Sequence, residues 1–317
     1  MTSVCVQVPA KLNLQLAVGP PRTDGYHDLV TVFHAVSLFD QVTVEPAGRD
    51  GVTVTGEGAD RVPADQDNLA LRAIAALRAS LRDRGADPGR VHVTIAKRIP
   101  VAAGLAGGSA DAAAALLACN ELWAAGLTQQ QLCAIGATVG SDVAFALLGG
   151  TAVGRGRGEQ LTPALAPATR YHWVLAFAEG QLSTPAVYQA LDRLRQSRSA
   201  DHARSAEVRA AAGPGLDAAL MSALRSGDAA WLGQRLSNDL QPAAVSLFPA
   251  LRKTLTAGLE LGALGALVAG SGPTCVFLAA NAERALELAV SLSGAGVCRS
   301  VARVSGPVPG AAVVSAG

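Results

Sequence analysis

PVAAGLAGGSADAAAA, Pro100 to Ala115, follows an alternating apolar run from Val91 to Ala96 and opens into an alanine-rich segment. The order is strand, glycine loop, helix, with helix expected from about Ala110 onward. Gly104, Gly107 and Gly108 carry no Cβ, which permits a positive φ and a close approach of backbone to a ligand. Such a loop delivers unpaired N–H groups, with Ser109 beside them, at the positive end of a helix dipole. That is a place for phosphate. No Lys-Ser/Thr follows the glycines, so this is not a Walker A loop, and their spacing is not G-x-G-x-x-G. Alone, the loop leaves a second reading open, a tight turn whose glycines only permit close packing. The flanks have to decide.

Val4, Val6 and Val8 alternate as in a strand, and Leu12, Leu14 and Leu16 resume the alternation after Pro9. Lys11 and Asn13 then lie on the face opposite the leucines. Lys11 is either a solvent-facing charge or the partner of an anion. Asp24-Gly25 in RTDGYH marks a hairpin turn, and Leu29 to Leu38 reads as a strand. Tyr26 and His27 either decorate the tip or offer a ring face and a ring nitrogen to a planar base. Further strands are expected at Val42 to Glu45 and Val52 to Thr55. Asp67 can cap a helix whose Ala70, Ile74, Leu77 and Leu81 form one stripe, leaving Arg72, Arg78 and Arg82 as a solvated face. Asn68 and Leu69 are helix-start residues or part of a nucleotide pocket. Thr128 can start a helix to about Val139, and the chain turns at Gly140-Ser141-Asp142. Asp142 is a helix N-cap by position, or an acid held at the edge of a cleft.

Thr151 to Gly158 reads as strand and turn, with Arg155 and Arg157 in solvent. Pro163 and Pro167 suggest dividing the chain into 1–165 and 166–317. His172 to Phe177 is a strand, and Ser183-Thr184-Pro185 starts a helix capped by Thr184, with Tyr188 one turn on. Arg193 to Gly215 reads as a mobile loop or short polar helix. Helices follow at Leu216 to Leu224, Asp228 to Leu236 and Leu247 to Leu261. Gly265 to Leu278 gives two strands around the turn Gly270-Ser271-Gly272-Pro273, before a helix from Ala282 to Leu292 and a strand from Val297 to Val304.

The 26 basic and 25 acidic residues of this 317-residue chain give a net charge of +1, with no footprint for nucleic acid or an anionic membrane. A small-molecule substrate is the expectation. Cys5, Cys119, Cys133, Cys275 and Cys298 are scattered and odd in number, which predicts buried free thiols in a reducing cytoplasm. No signal peptide is recognisable, and glycines with Pro273 break the most apolar later stretch, Leu259 to Ala280.

PAKLNL, PVAAGLAGGSADAAAAL, GSDVAF and VAGSGPTCVF resemble, in order and spacing, the motifs of the GHMP small-molecule kinases. DGYH, DNL at Asp67 to Leu69 and STPAVY resemble the branch whose acceptor is a cytidine diphosphate-linked methylerythritol. The resemblance implies an α+β protein of two domains: an N-terminal domain like ribosomal protein S5 domain 2 and a C-terminal ferredoxin-like domain, with the active site in the interdomain cleft. It places the phosphates of ATP on Pro100, Val101, Ala102, Ala103, Gly104, Leu105, Ala106, Gly107, Gly108, Ser109 and Ala110. It makes Lys11 and Asp142 the catalytic pair and puts Asn68 and Leu69 near the adenine. Tyr26 and Tyr188 would sandwich the cytosine and His27 would bond its edge. Asn13 and Thr184, with Gly270, Ser271 and Gly272, would serve the substrate. Mg²⁺ is implied, with Ser109 contributing any hydroxyl ligand. The family's loop often reads Gly-Leu-Gly-Gly-Gly-Ser-Ser, so Ala106 stands for a glycine and Ala110 for the second serine; Ala106 is expected to avoid a positive φ. The competing readings are another GHMP kinase, for a mevalonate-like alcohol, homoserine or a sugar, and a non-catalytic nucleotide-binding or RNA-associated protein of the same fold.

Overall fold

A computed structural model describes residues 3–164, 169–201 and 213–316. Strands β1 (Val4–Pro21) and β2 (His27–Pro46) form one long antiparallel ladder around the turn at Arg22 to Tyr26. The paired runs expected on either side of Pro9, and again at 29–38 and 42–45, are thus continuous strands. Pro9 causes only a register shift between itself and Ala10. It is tolerated because the other edge of β1 is open there: β12 (Ala312–Ala316) pairs with residues 4–7 and β8 (Ser237–Asn238) with residues 15 and 16.

Strands β3 (Gly51–Gly56), β4 (Val91–Lys97), β5 (Thr151–Gly156) and β6 (Gln160–Pro163) complete an eight-stranded sheet. Helices α1 (Leu69–Arg82) and α2 (Gly107–Leu122) cover it, followed by α3 (Gln129–Val139) and α4 (Val143–Leu148). Ala112 to Ala115 on α2 are fully buried, and their small side chains let the helix sit close to β1 and β2. Thr128 starts α3 as expected, and the structure adds a capping box closed by Gln131.

The second sheet is antiparallel in the order β11-β7-β10-β9, from β7 (Tyr171–Phe177), β9 (Gly265–Val268), β10 (Cys275–Ala279) and β11 (Ser300–Gly306). Trp173, Leu175 and Phe177 enter the core of the first half, while Val174 and Ala176 enter the second core. Burial on both faces explains why β7 reads as a nearly unbroken apolar run. Helix α5 (Thr184–Asp201) continues where a loop or short helix was expected, and residues 202–212 of that stretch lie outside the described residues. The helix expected at 247–261 is two, Gln241–Leu247 and Ala250–Glu260, separated at Phe248-Pro249. The division expected at 165/166 also lies outside the described residues. The chain crosses it again at its end, because β12 joins the first sheet.

Asn68, not Asp67, caps α1, accepting from the Ala70 N–H at 2.9 Å. Arg78 is not solvated: it is buried, grips both oxygens of Asp50 at 2.8 and 3.0 Å, and lies 5.5 Å from the Trp123 ring centre. Burial works to raise the Asp50 carboxyl, but bonds from Arg78, Arg90 and the Val91 amide outweigh it and hold the group below its ordinary value. Only two of the five free cysteines, Cys119 and Cys275, are fully buried. Among the described residues no helix is long and apolar enough to cross a membrane.

His34 on β2 lies between the two sheets, fully buried, with Nδ1 2.9 Å from Thr151 Oγ1 and its ring edge-on to Tyr171 and Trp173. Burial pushes its imidazole down to about 3, with the Gly306 backbone acting in the opposite sense. The unfolded chain therefore takes up a proton near pH 6.5 that the folded chain refuses until about pH 3. Stability is full above the upper value and is lost as pH falls through that window, at up to about 1.4 kcal/mol per pH unit. Urea unfolding should show a loss of about 2 kcal/mol between pH 6.5 and 5, and His34→Gln should flatten that slope.

Candidate active site

Leu12 and Leu14 anchor β1 in the core, which turns Lys11 and Asn13 to the opposite face, lining a cleft. Lys11 Nζ donates to Asn13 Oδ1 at 2.7 Å, sits 3.6 Å from Asp142 Oδ2 and lies 5.6 Å from the Phe33 ring centre. The Asn13 amide donates to Thr31 Oγ1 at 2.8 Å, and that hydroxyl donates to the Gln15 carbonyl at 2.7 Å. This relay fixes the amide so that its oxygen faces Lys11. Asp142 occupies the N-cap position of α4, yet its side chain caps nothing. The capping explanation fails, and the carboxylate is free to meet Lys11.

Helix α2 begins at Gly107, three residues earlier than expected. Ala110 N–H is the first amide to find an acceptor one turn back, at the Ala106 carbonyl, so those of Gly107, Gly108 and Ser109 have none within the helix. Pro100 to Gly104 and Ala106 to Ser109 line the cleft. Leu105 and Ala110, expected among the phosphate contacts, do not: both side chains are in the core, the Leu105 carbonyl accepts from Lys11 N–H at 3.3 Å, and the Ala110 amide is spent. Ala106 contradicts its expectation by adopting φ 59°, and Ala102 does the same at 55°. Gly104 has φ 78°, and a Cβ there would collide with the Ala269 carbonyl. Gly107 and Gly108 do not use positive φ. A Cβ on Gly107 would crowd Lys97 Nζ and Ile99 at 3.1 Å, and one on Gly108 would meet Leu69 at 3.2 Å.

Beneath the loop, the Lys97 ammonium donates to Asp40 and, at 2.7 Å, to Asp111. Asp40 also accepts from the Arg98 and Ile99 amides, while Asp111 Oδ1 is buried without a partner. Burial works against the charge on Lys97, but the carboxylates of Asp111 and Asp40 hold it above its ordinary value. Burial pushes the Asp111 carboxyl up to about 7 against the pull of Lys97, with Asp40 adding repulsion.

At the far end of the cleft Tyr26 is exposed at the mouth, with the Arg157 guanidinium 5.5 Å from its ring centre. His27 is buried, its Nε2 3.0 Å from Asp192 Oδ1, and its ring centre is 5.0 Å from that of Tyr188. Burial, with the charge of Asp142 adding to it, pushes the Tyr188 hydroxyl up to about 12. Thr184 lies inside α5, and its hydroxyl meets Ser271 Oγ at 2.8 Å instead of capping the helix. Gly270, at φ 51°, closes over Lys11 and Asn13: a Cβ there would be 3.5 Å from Lys11 Nζ and 3.6 Å from Asn13 Oδ1. Gly270, Ser271 and Gly272 all line the cleft. Sequence reasoning missed Thr31, Asp192 and the Lys97 cluster and dismissed Arg157. Of these only Thr31 carried a signal, its place on the alternating face of β2.

The cleft encloses about 1450 Å³, and Asn68 and Leu69 line it with Arg61, Val62 and Pro63. That exceeds the roughly 300–1,000 Å³ of a single small-ligand site and suits two ligands meeting end to end. Among the described residues no group of three or more His, Cys, Asp or Glu is placed to hold a metal.

Residues 68–150 match the GHMP kinases N terminal domain and residues 220–298 match GHMP kinases C terminal. A 4-diphosphocytidyl-2-C-methyl-D-erythritol kinase of Mycolicibacterium smegmatis is 55% identical over 99% of this chain and 93% of its own length. The protein of that name from Thermobifida fusca is 52% identical over 99% of both chains. A crystal structure of 4-(cytidine 5'-diphospho)-2C-methyl-D-erythritol kinase matches with TM-score 0.71 at 34% identity, covering 95% of this chain and 98% of its own. A homoserine kinase from Cytophaga hutchinsonii, 19% identical, shares the fold with TM-score 0.72 over 99% and 98%.

Gly104→Ala should cost more than about 2 kcal/mol in urea unfolding, or displace the loop and abolish nucleotide binding, because the opposing atom is backbone and φ is positive. Lys97→Met should cost about 3–5 kcal/mol by leaving two acids buried without their cation. Asp111→Asn, which removes the charge of the acid whose second oxygen has no partner and keeps the shape, should cost clearly less in the same assay.

Proposed function

This chain belongs to the GHMP kinases, and we propose that it transfers the γ-phosphoryl group of ATP to the 2-hydroxyl of 4-diphosphocytidyl-2-C-methyl-D-erythritol, in the non-mevalonate route to isoprenoids. The observation that carries this reading is the meeting of Lys11 and Asp142 beside a free helix N-terminus, in a cleft whose other end is aromatic. Relatives of that name, more than half identical over nearly the whole chain, support the acceptor.

Phosphoryl transfer asks the protein for position and charge compensation more than for covalent chemistry. The acceptor oxygen forms a bond to the γ-phosphorus as the bond from that phosphorus to the bridging oxygen of ADP breaks. Because the transition state is loose, the hydroxyl keeps its proton until late. Asp142 therefore orients the hydroxyl first and takes its proton last. Lys11, held by Asn13, meets the negative charge on the transferring oxygens. The amides of Gly107, Gly108 and Ser109 face the nucleotide phosphates, and Asn68 and Leu69 the adenine end.

Mg²⁺ fits this site in a limited way. The Ser109 hydroxyl lines the cleft and makes no hydrogen bond among the described residues, so it is open to a hard cation. Phosphate oxygens and water would complete the set, as usual for a metal that needs only one or two protein ligands. Bound there, Mg²⁺ would supply charge neutralisation and fix the phosphate chain. Thiols at all five cysteines support a reducing, cytoplasmic setting.

Another GHMP kinase activity is less well supported. Tyr26, His27 and Tyr188 line the acceptor end, and a small alcohol or amino acid has no planar group to engage them. Release of ADP from ATP should require the cytidyl acceptor, with mevalonate, homoserine and galactose inert; activity confined to one of those three would overturn the assignment. Asp142→Asn should lower kcat by about 10²- to 10⁴-fold while both substrates still bind. Near-normal turnover in that variant would remove Asp142 from the mechanism.

A further inference from the structure

Five side chains that carry or can carry positive charge line the cleft. Lys11 faces Asp142, Lys97 is held by Asp40 and Asp111, and His27 is tied to Asp192. Arg61 and Arg157 have no ion-pair partner among the described residues. Arg61 stands with Val62, Pro63 and Asn68 at the nucleotide end. Arg157 stands elsewhere, in the turn between β5 and β6, its amide bonded to Glu159 at 2.7 Å. On one side its guanidinium covers Tyr26. On the other its neighbour Gly158 approaches the reacting end: a Cβ there would lie 4.0 Å from Asp142 Oδ1 and 3.3 Å from Phe33.

The acceptor under the reading above has a fixed order of groups: a base, a diphosphate, then the polyol that bears the reacting hydroxyl. The cleft has the same order, with aromatic rings first, Arg157 next, and Lys11 with Asp142 last. We infer that Arg157 binds the diphosphate of the acceptor and so selects acceptors with that bridge, acting as a specificity-determining residue; this rests on the proposed cytidyl acceptor. A guanidinium suits the task because its planar fork can bond two phosphate oxygens while its face stays on a ring. A flat cationic face over Tyr26 also keeps the side chain extended over the cleft before the acceptor arrives.

The test is calorimetric binding of cytidine and of CDP to full-length protein presaturated with ADP, which keeps CDP out of the nucleotide end. The wild-type protein should prefer CDP to cytidine. Arg157→Gln should cut that preference by about tenfold or more, and Arg157→Lys should recover part of it. Cytidine itself should bind the Gln variant within about two-fold of wild type, and so should ADP. Arg157 is exposed, so melting temperatures should be unchanged. Equal weakening of CDP and cytidine would overturn the inference, because Arg157 would then act only by propping Tyr26. No change in either would overturn it too. If wild-type protein bound neither ligand, the cytidyl acceptor would fall and this inference with it, an outcome distinct from the other two.

Discussion

The gap along one edge of β1 is the constraint on which the site depends. Between the short pairings with β12 and β8, residues 8–14 have a strand partner only on the β2 side. A backbone edge buried at a protein's centre has to be satisfied, and here the glycine loop does it through the Leu105 carbonyl on the Lys11 amide. That bond fixes how close the loop comes to Lys11. The turns on either side of that bond take residues 102, 104 and 106 to positive φ. The third member is the turn at Ala269 to Gly272, pressed against Gly104 and held through Asn238, whose amide donates to the Val268 and Gly270 carbonyls at 2.7 Å. Three segments distant in sequence meet backbone to backbone, and where the loop meets the turn Gly104 and Gly270 have no side chain to hold them apart.

Charge is divided by the same arrangement. Lys97 is close to the helix start, but it is committed to two acids and brings no net positive charge to the cradle. Under the proposed function the attraction for phosphate comes instead from the helix terminus, whose amides are fixed dipoles that need no reorganisation. In that reading Lys11 is left for the atoms that react. Its contact with Asp142, at 3.6 Å, is longer than its bond to Asn13, so it is steered by the amide and left accessible from the cleft.

Features governed by local chemistry were legible in the sequence. The helix start at Thr128, the alternation of β1 and the turn at Gly270 are set within a few residues. Features that needed a distant partner were not. Arg78 looks like one more surface arginine until Asp50, on another element, is placed against it. The return of β12 to β1 spans the whole chain, and the anchoring of His27 by Asp192 crosses from the first half to the second. The pair Lys11 and Asp142 was reachable only through motif resemblance, because each has an ordinary local explanation that geometry alone removes. For Asp142 the removal is the missing cap bond.

The two departures in the glycine loop look, from the sequence, as though they should alter it. Ala106 gives up the freedom of glycine, and a left-handed alanine costs roughly 1–2 kcal/mol. The loop takes that conformation anyway, so its shape is imposed by docking on β1 and by the start of α2, not by the residue's own preference. Ala110 gives up a hydroxyl, but its side chain is in the core and its amide is already bonded to Ala106. A serine there would have faced the same surroundings. Neither change therefore removes a contact the loop makes with its surroundings, and the backbone edge on which the loop rests sets its shape more than the number of its glycines or serines does.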